Sequence, residues 1–410
     1  MTISRRTLLA SATATAGVLP FARVRAQTPT IKIGVLNDQS GPYTNTGGLT
    51  SVICAKQALE DFGIAAKGLN VEVISADHQN KPDVAVSIAR QWFDRDGVDV
   101  VLDVPTSSVA LAVQGVTREK NKIFLASGPA STGLTTGEGC SPNFVHWTYD
   151  TFMLARSTGG AIVKAGGDSW YFLTADYAFG KQLQADTADL VKLSGGKVLG
   201  ASAYPFPMTT DFSSFLVQAQ ASKAKVLGLA NAGADTVNSI KQATEFGLNK
   251  SMKIAALLMF ITDVHALGLD AAQGLNLTES FYWDLNEGTR AFTNKIKAKS
   301  PSNWPNMIHA GCYSATLHYL KTVAAMGAAE VKKSGAATVA RMKQMPVEDE
   351  CFGKTTIRED GRNLTTAHLF EVKKPSESKG PWDYFKLVAS TPGAEAYRPL
   401  ADGHCAFIKA

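Results

Sequence analysis

The sequence predicts an α/β protein made of two doubly wound, parallel-sheet lobes with a hinge between them. Three observations lead there. Short apolar runs alternate with helical patterns from residue 31 to residue 258, which is the signature of βαβ units and of a parallel sheet covered on both faces. The alternation restarts after Asp150, giving two successive series. The chain has 410 residues, and at roughly 100–200 residues per domain two domains fit that length.

In the first series, strands are expected at Ile31–Val35, Val71–Ala76, Val98–Val104 and Lys122–Ala126. Helices are expected at Gly48–Phe62, Pro82–Arg95 and Ser107–Glu119. The second series opens with a helix over Thr151–Ala165 and continues with strands at Ser169–Thr174, Val198–Ala203, Val226–Ala230 and Lys253–Leu258. Its intervening helices are Phe179–Leu193, Phe212–Ala221 and Ala234–Phe246. The end of the chain breaks the pattern. Helices at Thr289–Lys299, Met307–Met326 and Ala336–Met345 precede short β-like pieces at Lys354–Ile357, His368–Val372 and Trp382–Val388. Glu359-Asp360-Gly361-Arg362 reads as a turn between two of them.

The N-terminus reads as an export signal of the twin-arginine type. Ser4-Arg5-Arg6-Thr7-Leu8-Leu9 opens it, a mild apolar stretch follows to Leu19, and Val24-Arg25-Ala26 offers a small-x-small cleavage site. The stretch is well short of the ~20 residues that span a bilayer. Residues 1–26 hold four arginines and neither acid nor lysine, so their removal takes the net charge from +5 to +1. The basic balance is therefore an effect of the signal, and nothing electrostatic favours nucleic acid or an anionic membrane. The five cysteines, Cys54, Cys140, Cys312, Cys351 and Cys405, lack the paired spacing of a zinc site. An exported chain permits one or two bridges with at least one free thiol, and the spacing does not assign the pairing.

Catalytic templates are missing. There is no G-x-S-x-G elbow, no H-E-x-x-H and no G-x-G-x-x-G opening a helix after a strand. His309 and His318 lie nine residues apart, not at the four-residue spacing of helical metal ligands. His146, beside Trp147, Tyr149 and Asp150, has the residue types for acid–base work, but a hydrogen-bonded crossover between the lobes is the preferred reading. No enzyme, cofactor or metal is expected.

Several strand-end loops carry a family pattern in order. They are Ser40-Gly41-Pro42 after the first strand, Val104-Pro105-Thr106-Ser107-Ser108 after the third, Leu125-Ala126-Ser127-Gly128-Pro129-Ala130-Ser131-Thr132 after the fourth, and Thr174-Ala175-Asp176-Tyr177-Ala178-Phe179-Gly180 after the first strand of the second series. Together they resemble the leucine/isoleucine/valine-binding proteins of ABC importers. The resemblance implies the type I periplasmic binding protein fold and three crossings between the lobes. It also implies one small ligand enclosed between them and an ABC permease in the inner membrane as partner. On that pattern lobe one comprises residues 28–148 and 282–350, lobe two comprises 149–281 and 351–374, and a tail, 375–410, returns over the hinge and lobe one. A periplasmic monomer is expected.

Ligands of open α/β sheets sit beyond the carboxyl ends of the strands. Ser107, Ser108, Ser127, Ala130 and Thr132 occupy such loops, where hydroxyls and helix N-terminal N–H groups receive a carboxylate without a fixed cation. Ser107 or Ser108 also suits a helix cap. Phe179 matches a family position that usually carries an aromatic residue. Asn231 and Asp235 follow another strand of lobe two, and Asp235 also suits a cap. The resemblance leads one to expect an acid after the last strand of lobe two, to meet a ligand ammonium. That loop instead reads Leu257-Leu258-Met259-Phe260-Ile261-Thr262-Asp263. An unpaired ammonium in a closed cleft is costly. Either Asp235 or Asp263 supplies the charge, or the ligand has no ammonium. Trp147, Phe179, Phe260 and Trp283 make an aromatic carboxylate a candidate beside an amino acid. A ligand sensor on the same fold is the remaining alternative.

Overall fold

The computed structural model describes residues 29–408, so the proposed export segment lies outside the described residues. The first series folds as one parallel sheet, with β1 (Thr30–Asn37), β2 (Asn70–Asp77), β3 (Val100–Asp103), β4 (Ile123–Ala126) and β5 (Phe144–His146) in the order β2-β1-β3-β4-β5. Strands β3, β4 and β5 are buried at every residue, as expected where helices cover both faces. The helices Gly48–Phe62, Pro82–Gln91 and Ser107–Glu119 supply that cover.

The second series repeats the plan. Strands β6 (Ser169–Ala175), β7 (Lys197–Tyr204), β8 (Val226–Ala230) and β9 (Lys253–Ala256) form a parallel sheet in the order β7-β6-β8-β9. Within each sheet the second strand pairs outside the first and the third pairs on the other side. Both sheets thus change direction beside their first strand, and such switch points are where open α/β sheets bind ligands.

The rest of the chain joins the two halves. After β10 (Asn276–Glu279) it returns to the first half, where the helix Met307–Met326 packs along Gly48–Phe62. The hairpin β11 (Val347–Asp349) and β12 (Gly353–Thr355) leads back to β13 (Ala367–Val372), which pairs antiparallel with β10 and with β14 (Phe385–Thr391). A disulfide between Cys140 and Cys405 ties the loop after β4 to the tail, while Cys54, Cys312 and Cys351 are buried free thiols. None of the described helices is long and apolar enough to cross a membrane.

The first crossing, residues 146–150, is clamped by residues 360–365. His146 N–H donates to Gly361 O at 2.9 Å, Asn363 N–H donates to His146 O at 3.0 Å, and Thr365 Oγ1 donates to Thr148 O at 2.6 Å. The buried guanidinium of Arg362 donates to Tyr149 O at 3.0 Å and lies 4.7 Å from the Tyr397 ring centre. His146 Nε2 is 2.6 Å from Pro129 O, and Asp150 accepts from Met153 N–H at 2.9 Å as a helix cap. These two residues form a hydrogen-bonded crossover.

Element boundaries differ from the expectation in places. The helix expected over Pro82–Arg95 turns π-helical at Trp92–Asp96, and the one over Thr151–Ala165 does so at Ala155–Gly159. Strands β5 and β10 have three and four residues, too few for a period of two to register.

Candidate ligand-binding site

A small cavity lies between the two halves. From the first half, Tyr43 and Thr46 follow β1, Pro105 follows β3, and Gly128 and Ala130 follow β4. From the second, Tyr177 and Phe179 follow β6, Ala232 follows β8, and Leu258 and Phe260 follow β9. Tyr149 enters from the first crossing and Ile308 from the first turn of the helix Met307–Met326. All the strand-end contributors sit at carboxyl ends, as the switch-point rule requires.

Hydrogen bonds fix the first wall in place. The buried Asp38 carboxylate accepts from Gly41 N–H at 2.7 Å and from Tyr43 N–H at 2.8 Å, which sets the Tyr43 loop. Ser107 Oγ accepts from the N–H groups of Ala130 and Ser131 at 3.3 and 3.2 Å. Tyr149 OH donates to Gly128 O at 2.6 Å. Gly128 has no substitute there, since a Cβ would fall 2.6 Å from both Asp103 Oδ1 and Pro105 Cα. The turn out of β3 is strained, with φ of 81° at Asp103 and 55° at the β-branched Val104. The Asp103 carboxylate holds it by accepting from Asn37 Nδ2 at 3.1 Å and Ser127 Oγ at 3.3 Å. Burial pushes that carboxyl up to about 6 against the pull of those bonds.

The second wall is apolar and aromatic, and it meets the first. Tyr43 OH and Tyr177 OH are 2.5 Å apart, and Phe206 stacks on both rings, with centres at 5.5 and 4.4 Å. Burial raises both phenols above their ordinary value, so the pair is neutral. Ala234 N–H donates to Pro42 O at 3.2 Å. Gly233, at φ 61°, passes so close that a Cβ would lie 2.6 Å from Pro42 O. The lobes are therefore closed on the cavity.

Three of the residues anticipated from the sequence line it: Ala130, Phe179 and Phe260. The others are placed elsewhere, each for a physical reason. Ser107 supports the wall through Ala130, while Ser108, half-buried beside it, does not line the cavity. Ser127 is turned inward, with Oγ 2.9 Å from Cys312 Sγ. Thr132 reaches Asp186 at 3.4 Å. Trp147 donates to Ser314 Oγ at 2.9 Å and packs on His318, in the core and away from the cavity. Trp283 stays outside too, donating to Trp382 O at 2.7 Å. Asn231 donates to Ser239 and accepts from Thr236, inside its own turn. Asp235 accepts from Tyr204 OH at 2.7 Å, and Asp263 accepts from Phe260 N–H at 3.0 Å.

The unanticipated contributors differ in what the sequence offered. Pro105, Gly128 and Tyr177 stand inside the strand-end motifs and Tyr43 directly follows one, so each could have been read from its place. Ile308 opens a helix distant in sequence and carries no local signal. Among the described residues lining the cavity there is no acid and no cation. Such a lining offers apolar contact, phenol hydroxyls and backbone groups to a solute. No cluster of potential metal ligands occurs among the described residues.

Two parallel α/β lobes closed on one small cavity define a solute-binding protein. The family model for periplasmic binding proteins matches residues 30–380. A periplasmic binding protein from Burkholderia mallei is 48% identical over 93% of this chain and 99% of its own, with a TM-score of 0.88. A branched-chain amino acid ABC transporter periplasmic ligand-binding protein from Burkholderia xenovorans is 36% identical over 92% and 99%, with a TM-score of 0.79. A solute-binding protein of an ABC transporter from R. palustris, in complex with benzoate, is 18% identical over 90% and 97%, with a TM-score of 0.75, and shares the fold. No curated protein matches the chain. The chain belongs to the periplasmic binding protein family, and it is a solute-binding component of ABC transport, not an enzyme.

Proposed function

We propose that the protein delivers a small aromatic carboxylate to an ABC permease of the inner membrane. The single observation carrying this reading is the absence of any acidic side chain among the described residues lining the closed cavity. The nearby acids are committed: Asp235 to Tyr204, and Asp263 to the Phe260 N–H. An ammonium enclosed there would lose its hydration with no carboxylate in return. A carboxylate fares better, because the helices Ser107–Glu119 and Ala178–Leu193 begin beside the lining residues Pro105 and Phe179, and helix N-termini favour anions. Phe179 and Phe260 offer the apolar flank for a ring.

In this reading residues 1–26 export the chain by the twin-arginine route and are removed near Ala26. The mature periplasmic monomer divides as lobe one, 28–148 with 282–350, lobe two, 149–281 with 351–374, and the tail, 375–410. Ligand contact with both walls stabilises the closed form, which the permease recognises. A branched-chain amino acid is the second reading, favoured by the description of the 36% identical relative.

A thermal-shift panel separates the two. A ligand at 100 times its Kd adds ~2.7 kcal/mol. Benzoate and its hydroxylated forms are expected to stabilise the protein, whereas leucine, isoleucine and valine are not. Stabilisation by the amino acids alone would reverse the assignment of ligand class, and no response to either group would remove both readings.

A further inference from the structure

The geometry points to Glu279 as a strut that ties the two lobes together in the closed form by capping one helix of each. Glu279 ends β10, in the segment that leads from the second half back to the first. It is fully buried, and no lysine, arginine or histidine among the described residues forms an ion pair with it. Its two oxygens have different partners. Oε1 accepts from Ile261 N–H at 2.8 Å, and Oε2 accepts from Met307 N–H at 3.0 Å.

Both donors are the first residues of helices. These N–H groups have no acceptor within their own helix, and burial pushes the carboxyl up to about 8 against the pull of the two N–H bonds. The helix Ile261–Leu267 packs on Ala234–Glu245 in the second lobe, whereas Met307–Met326 packs on Gly48–Phe62 in the first. One side chain therefore satisfies two helix ends that belong to different lobes.

The contact also reaches the cavity. Phe260 immediately precedes one donor and Ile308 immediately follows the other, and both line the cavity from opposite lobes. Separation of the lobes moves the two donors apart and leaves at least one helix end without its buried acceptor. Glu279 touches no cavity space itself, so it is a positioning residue. Its action does not depend on which solute is bound.

The test measures lobe separation directly. Nitroxides are placed at Leu49→Cys and Met208→Cys, two exposed sites on opposite halves, in the full chain without added ligand, and the distance distribution is recorded by pulsed electron resonance. The unaltered strut is expected to give a population at the closed distance. Glu279→Gln places an amide N–H₂ against one helix N–H, and the closed fraction is expected to fall at least fivefold while the circular dichroism spectrum is kept. Met307→Pro removes one donor at a helix position that proline suits, and it is expected to open the lobes in the same way should Glu279→Gln fail to fold. A distribution unchanged by either substitution, or no closed population with Glu279 intact, would overturn the proposal.

Discussion

The two walls of the cavity are built on opposite principles. The first-lobe wall is held by polar bonds from behind: Asp38 sets Tyr43, Ser107 sets Ala130, Tyr149 sets Gly128, and Asp103 sets the strained turn before Pro105. The second-lobe wall presents Phe179, Ala232, Leu258 and Phe260, whose contribution is apolar area. Hydrogen bonds fix positions to a few tenths of an ångström, and apolar contact is tolerant of small displacements. The arrangement therefore assigns orientation of the ligand to the first lobe and much of the binding energy to the second.

The largest expected effect is at Ser107. Ser107→Ala removes the acceptor shared by the Ala130 and Ser131 N–H groups. Leaving a buried donor unsatisfied costs about 1–3 kcal/mol each, so urea unfolding should show a loss of about 2–6 kcal/mol, with a more than tenfold loss of ligand affinity by calorimetry. Phe260→Leu should cost less, about 1 kcal/mol of affinity, because the wall stays apolar. A Phe260→Leu loss greater than that of Ser107→Ala would dissolve the contrast between the walls.

The same contrast explains what the sequence disclosed. The apolar strands and their order were legible because buried parallel strands need continuous runs of Val, Leu and Ile, as at Val226–Ala230. The helix Met307–Met326 was legible at both ends. At the site, Ala130, Phe179 and Phe260 stood out because their loops leave strands that could be recognised. Ser127, Asn231 and Asp235 come from equally recognisable loops, yet they face inward. Composition cannot report which way a side chain turns within a loop. Glu279 was silent for a different reason. Its strand has four residues, and its two partners are backbone N–H groups at sites without sequence identity of their own.

The seam between the walls offers a smaller test. Tyr43 and Tyr177 share one hydrogen bond across the lobes at 2.5 Å. Each Tyr→Phe change should cost about 1 kcal/mol of ligand affinity, the typical net worth of one such bond. The double change should cost no more than either single one, because the bond is already lost. Additive losses would mean that each phenol also bonds the ligand separately, and would enlarge the polar share of the second wall.

The last expected effect concerns protons. Burial pushes Asp235 in the second lobe up to about 6, although Tyr204 OH donates to it and pulls the other way. The ordinary value is 3.8, so between roughly pH 4 and 6 the folded protein binds more protons at this site than the unfolded chain. Its contribution to stability is then full below pH 4 and is lost as pH rises through 6. Asp235→Asn keeps an acceptor for Tyr204 and cannot ionise. Its unfolding free energy should fall less steeply over that window than that of the parent protein, by about 2–3 kcal/mol in total. Asp103, pushed up to about 6 on the other wall, accepts from Asn37 and Ser127, and an amide at that position has only one oxygen to offer. Asp103→Asn should therefore destabilise the fold at every pH, in addition to any change of slope. Matched urea titrations at pH 4, 5, 6 and 7 read both variants. If Asp235→Asn also lost stability uniformly, the two walls would be equally dependent on their buried carboxyls, and the polar–apolar division would hold for the lining alone.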